Sequence, residues 1–234
     1  ALMQASWFSR QGCKRERNSD AAAVIQFEHT ILAVLVDGAE KGPNGAELAR
    51  HWANVAAQAL LQTPNGASSE MMRRLKEEQQ RLRHTFLHDI ASYCMIALDL
   101  ETLEVQLWHC GDCLVGVQRG EEIRWLTTPH SLVMQPGLSP LAGNDEYLAR
   151  QQRLTRCLNA RRFSAPDHRM LTLQPGETLL LATDGYWQEH LEAGTSLMKL
   201  CDDASLLSLP IKEKVHFHIN QNSDTDNFNE LIHE

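Results

Sequence analysis

Two aspartates of this chain stand in the same setting, at the end of an apolar run and directly before a glycine. Asp37 follows ILAVLV and precedes Gly38, and Asp184 follows TLLLAT and precedes Gly185. Runs of this length and composition are typical of buried β-strands. A strand end fixes a side chain in place, and the glycine lets the backbone turn and approach a ligand closely. One Asp-Gly pair by itself is a common turn signal, so the interpretation depends on the other aspartates.

Two more aspartates extend the pattern. Asp20 closes the segment RERNSD near the start of the sequence, and Asp226 lies in SDTDN near its end. Several carboxylates held close together repel one another unless a cation lies between them. Carboxylate oxygens are ligands that hard divalent cations prefer. The four aspartates together therefore predict a hard-metal site.

Composition and charge limit the classes of partner. Hydrophobic residues make up 43% of the 234 residues and charged residues 22%, as in ordinary globular proteins. The net charge of -8 argues against nucleic acid as the main partner. No apolar run approaches the roughly 20 residues that a membrane helix needs, and no signal-peptide pattern opens the sequence. We therefore expect a cytoplasmic protein without a membrane partner.

The six cysteines are scattered, which favours free thiols in a reducing compartment. Cys110 and Cys113 form a C-x-x-C pair, the spacing of thioredoxin-like redox sites and of half a zinc site. Their flanks, VQLWHCGDCLVGVQ, indicate strand, tight turn and strand, whereas the redox motif opens a helix. A zinc site needs a second pair, and no other cysteines have that spacing. The redox or zinc-binding module is therefore the least favoured alternative.

Predicted strands lie toward both ends of the chain, and two predicted helices lie between them. The first helix begins at Gly45, where apolar residues recur at helical spacing, and the second covers 70–90. A hairpin is predicted around Pro175 and Gly176, and a short helix after it. The other predicted strands cover 5–10, 22–27, 31–37, 91–100, 102–110, 113–120, 122–128 and 212–221.

The stretch 129–166 lacks a regular pattern and is rich in proline and glycine. A long irregular segment inside a domain is usually a functional loop, so we predict a lid or flap there. His130, at its start, is interpreted as a structural rather than a catalytic residue. The sequence shows no repeat or linker, and one domain over 1–234 is the simplest organisation. Strands grouped apart from helices predict an α+β layered sandwich rather than regular βαβ units.

The sequence resembles the metal-dependent protein phosphatases of type 2C, the PPM class. Five segments carry the resemblance in order across nearly the whole length. They are GCKRERNSD, VLVDGAEKGPNGAELA, HCGDCLVGVQRGEEIRWLTTPHSL, LQPGETLLLATDGYWQEH and the terminal TDN. The resemblance implies a four-layer αββα sandwich, with two antiparallel β-sheets flanked by antiparallel helix pairs. It also implies hydrolysis of phosphoserine and phosphothreonine in proteins by a hydroxide that bridges two Mn²⁺ or Mg²⁺ ions.

The resemblance assigns the metal ligands as follows. Asp37 is similar to the residue that bridges both ions, and the Gly38 carbonyl is a further ligand. Asp184 and Asp226 complete the shell of one ion, with Asp224 as an alternative to Asp226. Asp20 serves the other ion, directly or through water.

Two more assignments follow from the resemblance. Asp112 is similar to a residue that helps to hold a third, weaker ion, and Arg15 to the arginine that binds the substrate phosphate. A guanidinium suits this role because it can hold two phosphate oxygens at once. The implied partners are phosphorylated proteins and a cognate Ser/Thr kinase.

The sequence departs from the family pattern at two positions. Ala39 stands where some members carry a histidine proposed as general acid, and Ser19 stands where many carry an acidic residue. Both departures motivate an alternative function. In that alternative, the chain is a weak or inactive phosphatase-like protein that binds phosphoprotein or regulates a partner kinase.

Overall fold

The computed structural model shows a protein built around two β-sheets. It describes residues 5–63, 67–131, 154–211, 217–219 and 223–233. Most of the predicted lid, 132–153, and the start of the last predicted strand, 212–216, lie outside the described residues.

The described strands are numbered in chain order. The first seven are β1 (Ala5–Arg10), β2 (Asp20–Phe27), β3 (Thr30–Gly38), β4 (Ile90–Asp99), β5 (Glu104–Cys110), β6 (Leu114–Arg119) and β7 (Glu122–Trp125). The others are β8 (Leu158–Asn159), β9 (Asp167–Thr172), β10 (Thr178–Ala182), β11 (Ala204–Pro210), β12 (Phe217–Ile219) and β13 (Phe228–His233).

The strands form two sheets. One sheet has the order β12-β1-β11-β10-β6-β7, and the other has the order β13-β2-β3-β4-β5-β9, with β8 beside β4. Neighbouring strands are antiparallel except that β12 runs parallel to β1 and β13 parallel to β2. The inner faces of the two sheets bury one apolar core, which includes Trp7, Leu35, Ile96, Val115 and Leu181. Because successive side chains in a strand point to opposite faces, the buried residues of each sheet form one apolar face that packs against the other sheet.

Two helices cover the outer face of the second sheet. Helix α1 (Gly45–Leu61) and helix α2 (Ser68–Arg81) bury Trp52 and Leu75 against β2, β3 and β4. A single turn of 3₁₀-helix, Leu82–His84, follows α2. On the outer face of the first sheet, the described residues place a π-helical segment, Gly185–Glu192, which buries Trp187.

The predicted α+β class with two sheets is confirmed. Of the two helix pairs that the resemblance implies, the described residues contain one, α1 with α2. Among these residues, no helix combines the length and the apolar character that crossing a membrane requires.

Two predicted elements need correction. The segment around Pro175 and Gly176 is not a hairpin, because β9 pairs with β5 in one sheet and β10 pairs with β6 and β11 in the other. The second helix ends at Arg81 rather than at residue 90, and Ile90 begins β4. Strands β8, β11 and β13 were not predicted.

Candidate functional site

Strand ends from both sheets bring the predicted aspartates to one edge of the sandwich. Asp37 is the penultimate residue of β3 and pairs in register with Asp20, the first residue of β2. Asp184 comes just after β10, and Asp112 lies in the turn between β5 and β6. Because Ala182 of β10 pairs with Leu114 of β6, the residues that follow one strand lie beside those that precede the other.

Asp37, Asp112 and Asp184 form a tight group, called here the carboxylate cluster. One oxygen from each lies within 4.8 Å of the others. The cluster lines a cleft of about 720 Å³, which Arg15 and Asp202 also line. Three of the predicted ligands are thus in contact range of a single ion.

The electrostatics of the cluster favour a cation. Burial raises the pKa of Asp37 well above its usual range, and the neighbouring carboxylates Asp20, Asp184 and Asp202 raise it further. Burial likewise raises the pKa of Asp184 well above normal, as does the charge of Asp112. Such shifts measure the cost of holding negative charges together, and a divalent cation removes that cost. An all-oxygen donor set suits Mg²⁺ or Mn²⁺ better than it suits Zn²⁺.

Asp20 lies behind the cluster rather than within it. Its carboxylate is 1% exposed and accepts hydrogen bonds from Thr183 Oγ1 at 3.0 Å and Ser205 Oγ at 2.7 Å. Both bonds go to Oδ2, and Oδ1 has no hydrogen-bond partner among the described residues. A buried carboxylate oxygen without a partner is costly. This oxygen is suited to accept a hydrogen bond from a water that is itself a ligand of an ion, which is one of the two roles that the resemblance implies for Asp20.

Gly38 occupies a position where no side chain fits. A Cβ there would lie 2.1 Å from the carbonyl oxygen of Gly45, and the Gly38 N–H donates to the Ser19 carbonyl at 2.8 Å. The backbone after Asp37 therefore runs tightly between the start of α1 and the residue before β2. Gly38 lines the same cleft as the cluster.

Arg15 reaches the cleft from the loop between β1 and β2. Its Nε donates to Asp202 Oδ1 at 2.9 Å, and its Nη2 lies 2.7 Å from the same oxygen. Its Nη1 contacts the carboxylate of Glu40. The structure therefore places a guanidinium at the cleft, with two carboxylates as its present partners.

The loop that carries Arg15 is anchored by Asp203. The Asp203 carboxylate accepts hydrogen bonds from Gly12 N at 2.9 Å and Ser19 N at 2.8 Å. Burial raises the pKa of Asp203 to about 6, and the charge of Asp202 also raises it. Asp203 thus fixes both ends of the loop, while its neighbour Asp202 faces the cleft.

Asp202 is the site residue that the sequence reasoning missed. It lines the cleft, and its charge raises the pKa values of Asp37, Asp112 and Asp184. A signal was present, because the pair Asp202-Asp203 directly precedes ASLLSLP, the run that forms β11. Asp20 likewise stands directly before an apolar run, AAAVI, as the first residue of β2.

The predicted ligand Asp226 lies elsewhere, and this assignment is corrected. Its side chain is 73% exposed and pairs with Arg50 on α1 at 3.0 Å. The alternative, Asp224, is also outside the cluster, since its Oδ2 accepts hydrogen bonds from Gln11 N at 3.2 Å and Asn18 Nδ2 at 2.8 Å. Both aspartates stabilise the surroundings of the loop, and Asp202 faces the cleft in their place.

The C-x-x-C pair lies in the connection that brings Asp112 to the cleft. Cys110 ends β5 and Cys113 precedes β6, so the two cysteines belong to a crossover between the sheets rather than to a helix start. Burial raises the pKa of the Cys110 thiol to about 12. A thiol that stays protonated is a poor nucleophile. The redox module therefore stays the least favoured alternative.

The comparisons with known proteins agree with one another. The family model for protein phosphatase 2C matches residues 13–212. A serine/threonine phosphatase from S. agalactiae has a TM-score of 0.69 at 16% identity, over 89% of this chain and 99% of that chain. Stp1 from Staphylococcus aureus has a TM-score of 0.68 at 16% identity, over 91% and 96%.

A third solved structure is a PPM Ser-Thr phosphatase from Mycobacterium smegmatis, in complex with cacodylate. It has a TM-score of 0.67 at 18% identity, over 91% of this chain and 100% of that chain. No curated protein matches the sequence. At these identities the solved structures establish a shared fold, and the family match extends over more than half of the sequence.

Proposed function

The chain belongs to the protein phosphatase 2C family, and we propose that it hydrolyses phosphoserine and phosphothreonine in proteins at the carboxylate cluster, with two Mn²⁺ or Mg²⁺ ions. The observation that carries the proposal is the convergence of Asp37, Asp112 and Asp184, with oxygens within 4.8 Å of one another. These residues come from different strand ends, and their mutual repulsion has no structural benefit without a cation.

The residues present fit divalent ions. Asp37, Asp112 and Asp184 are placed to hold an ion together, and Asp202 borders the same space. Asp20 supports the group from behind and offers its unpartnered Oδ1. Bound ions would supply Lewis-acid chemistry and an activated water for attack on phosphorus.

Arg15 would bind the phosphate of the substrate. A guanidinium donates several hydrogen bonds in a fixed plane and matches the oxygens of a phosphate. Its present partners, Glu40 and Asp202, are carboxylates and so occupy donors that a phosphate dianion would use. When the substrate binds, its phosphate would replace Glu40 as a partner of Arg15. The positive charge of Arg15 would then have a negative partner both before and after binding.

Proton delivery to the departing serine or threonine oxygen is a separate requirement. Ala39 lines the cleft and cannot donate a proton. The proton must therefore come from water or from another group at the cleft, and general acid catalysis is typically worth about 10²–10⁴-fold. We expect a turnover number lower than that of family members with a histidine at this position. If the turnover number falls to zero, the protein becomes the inactive phosphoprotein-binding alternative.

The test is hydrolysis of p-nitrophenyl phosphate with and without Mn²⁺. Wild-type protein should require Mn²⁺, and Asp37→Asn should remove the activity, because it deletes the charge at the centre of the cluster. Asp226→Asn is the matched control, since it makes the same chemical change at an exposed residue outside the cleft. Loss of activity in both variants, or activity in the presence of EDTA, would refute the proposal. A folded wild-type protein without activity at any Mn²⁺ or Mg²⁺ concentration would favour the inactive alternative.

A further inference from the structure

A second group of polar side chains lies close to the carboxylate cluster, and the proposed mechanism does not use it. His109, His130 and Asp167 line a cleft of about 560 Å³. The two imidazole rings stack with centroids 4.4 Å apart. Arg156 completes the group, with Nη1 2.7 Å from Asp167 Oδ1.

The hydrogen bonds of His130 determine which of its ring nitrogens carries the proton. The backbone N–H of Gly111 donates to His130 Nδ1 at 3.0 Å, so Nδ1 is the acceptor and has no proton. In the neutral ring, Nε2 then carries the proton and donates to Asp167 Oδ2 at 2.9 Å. Arg156 holds the other oxygen of Asp167. The chain Arg156–Asp167–His130 thus fixes both the orientation and the tautomer of the ring.

The same hydrogen bonds argue against a metal ion at this second group. Its ligand atoms lie within 4.8 Å of one another, and two histidines with a carboxylate could hold Zn²⁺. An ion on His130 Nε2 would displace the only ring proton while Gly111 N–H occupies Nδ1. Arg156 already neutralises Asp167. Rings stacked at 17° also cannot both direct their in-plane lone pairs at one ion.

His130 instead holds the two peptide groups of Gly111, the residue that precedes Asp112. Besides the bond to Nδ1, the backbone N–H of His130 donates to the Gly111 carbonyl at 2.8 Å. Gly111 has φ of +105°, and a Cβ there would lie 2.1 Å from Ser92 Oγ. The turn is therefore pressed against Ser92 on one side and held at both N and O by His130 on the other.

Asp112 is also held through its side chain, because its carboxylate hydrogen-bonds with Ser92 and Asp184. Its carbonyl accepts a hydrogen bond from Trp187 Nε1 at 2.7 Å, which fixes the far side of the residue. The near side is the Gly111 peptide. A glycine with positive φ has wide conformational freedom, so the two hydrogen bonds with His130 restrict rotation of the peptide groups on both sides of Gly111. Such rotation would move Asp112 relative to Asp37 and Asp184.

We propose that His130, oriented by Asp167 and Arg156, is a positioning residue that holds the Gly111–Asp112 turn so that Asp112 contributes to divalent-cation binding. The inference rests on the proposed function, since it assigns Asp112 a role at the metal site. His130 acts through the backbone and touches neither substrate nor ion. Residues that orient metal ligands typically contribute about 10–100-fold to metal affinity.

The test compares His130→Asn with His130→Gln. An asparagine oxygen can take the place of Nδ1 and accept from Gly111 N–H, whereas a glutamine amide extends to the place of Nε2. Mn²⁺ affinity is measured directly, from the EPR signal of free Mn²⁺, and catalysis separately with p-nitrophenyl phosphate. We expect His130→Gln and His130→Ala to weaken Mn²⁺ binding at the weakest site about tenfold or more, and His130→Asn to restore it to within about threefold of wild type.

His168→Asn is the matched control, because His168 borders the same cleft but bonds to Gln106 and stacks on Trp108. Thermal unfolding of each variant separates a local effect from loss of the fold. Equal Mn²⁺ affinity in wild type, His130→Asn and His130→Gln would overturn the inference while leaving the proposed function intact. Equal loss in the Asn and Gln variants would overturn the Nδ1 mechanism. Absence of Mn²⁺ binding by wild-type protein would overturn the proposed function and the inference together.

Discussion

Arg15 and Asp202 form the contact that joins the N-terminal loop to the candidate site. Arg15 directs both Nε and Nη2 at Asp202 Oδ1, at 2.9 and 2.7 Å. The arginine came from the first predicted motif, and the aspartate precedes a strand that was not predicted. Their pairing leaves Asp202 Oδ2 without a bond to Arg15, on a residue that lines the same cleft as Asp37.

Replacing Asp202 by asparagine should weaken the response of activity to Mn²⁺, whereas replacing Asp226 should change it little. Asp202→Asn removes a charge beside the carboxylate cluster, so we expect the Mn²⁺ concentration for half-maximal activity to rise about tenfold or more. Asp226→Asn removes an exposed ion pair with Arg50, and such pairs contribute little. Titration of activity with Mn²⁺ checks both. The reverse ranking would restore the original assignment of Asp226 and remove Asp202 from the site.

Arg15→Ala should weaken substrate capture. Loss of a charged hydrogen bond costs about 1.5–3 kcal/mol, so we expect kcat/KM for a phosphopeptide to fall about 10–100-fold. Arg15→Lys keeps the charge but not the planar fork and should recover only part of the loss. Glu40→Gln should instead lower KM, because it removes a carboxylate that competes for Arg15. Steady-state kinetics decides the point, and an unchanged kcat/KM in both Arg15 variants would exclude phosphate binding by Arg15.

Asp37→Asn should stabilise the protein when no metal is present. The raised pKa of Asp37 means that the folded chain keeps a proton that the unfolded chain loses above about pH 4. Unfolding then releases a proton, so metal-free stability falls as the pH rises above that value. The variant lacks this penalty, and we expect its Tm in EDTA at pH 7 to be about 2–4 °C higher for each kcal/mol removed.

Addition of Mn²⁺ should reverse that order. Wild-type Tm should rise on adding Mn²⁺, because an ion that binds only the folded chain stabilises it, and Asp37→Asn should respond far less. Differential scanning fluorimetry with Asp226→Asn as control measures both effects. A metal-free Asp37→Asn protein that is less stable than wild type would contradict the account of the repulsive cluster.

His109 should make the protein sensitive to acid. Burial, together with the nearby His130, lowers the pKa of His109 to about 4. The unfolded histidine binds a proton near pH 6.5, so the stability due to a neutral His109 is complete above pH 6.5 and is lost as the pH falls toward 4. The difference corresponds to about 3 kcal/mol.

His109→Gln isolates this effect. A glutamine amide can still donate to the Thr128 carbonyl, as His109 Nε2 does at 3.1 Å, but it does not titrate. We expect the free energy of unfolding of the variant to decline less than that of wild type between pH 6.5 and 4, as measured by urea denaturation. Parallel curves for the two proteins would show that His109 is not held neutral by the fold.

The site could be predicted from sequence where a local pattern determines the position of a residue. Asp37 and Asp184 each end an apolar strand, and a strand end fixes a side chain whatever its neighbours are. Asp112 and Arg15 depended on the family resemblance, since neither lies at the end of a strongly patterned strand. Asp202 was missed because no strand was predicted over ASLLSLP, so the aspartate directly before that run was not recognised as lying at a strand end.

The pairing of strands was less predictable than their existence. The turn at Pro175 and Gly176 has the composition of a hairpin, yet its two strands enter different sheets. A turn motif specifies a local change of direction, whereas the sheet that a strand joins depends on residues distant in sequence. The terminal Asp226-Asn227 pair was misleading for the same reason. Asn227 bonds to Ser9 Oγ and the Asp20 carbonyl, which leaves Asp226 facing solvent and Arg50.

The most direct test of the central claim is release of inorganic phosphate from a phosphothreonine peptide as Mn²⁺ is titrated. Wild type, Asp37→Asn and Asp226→Asn should be compared at equal concentrations of folded protein. The account predicts no phosphate release in EDTA, saturable release with Mn²⁺ in wild type and Asp226→Asn, and release at least about 10²-fold slower in Asp37→Asn. Phosphate release that is independent of Mn²⁺, or equal in wild type and Asp37→Asn, would contradict it.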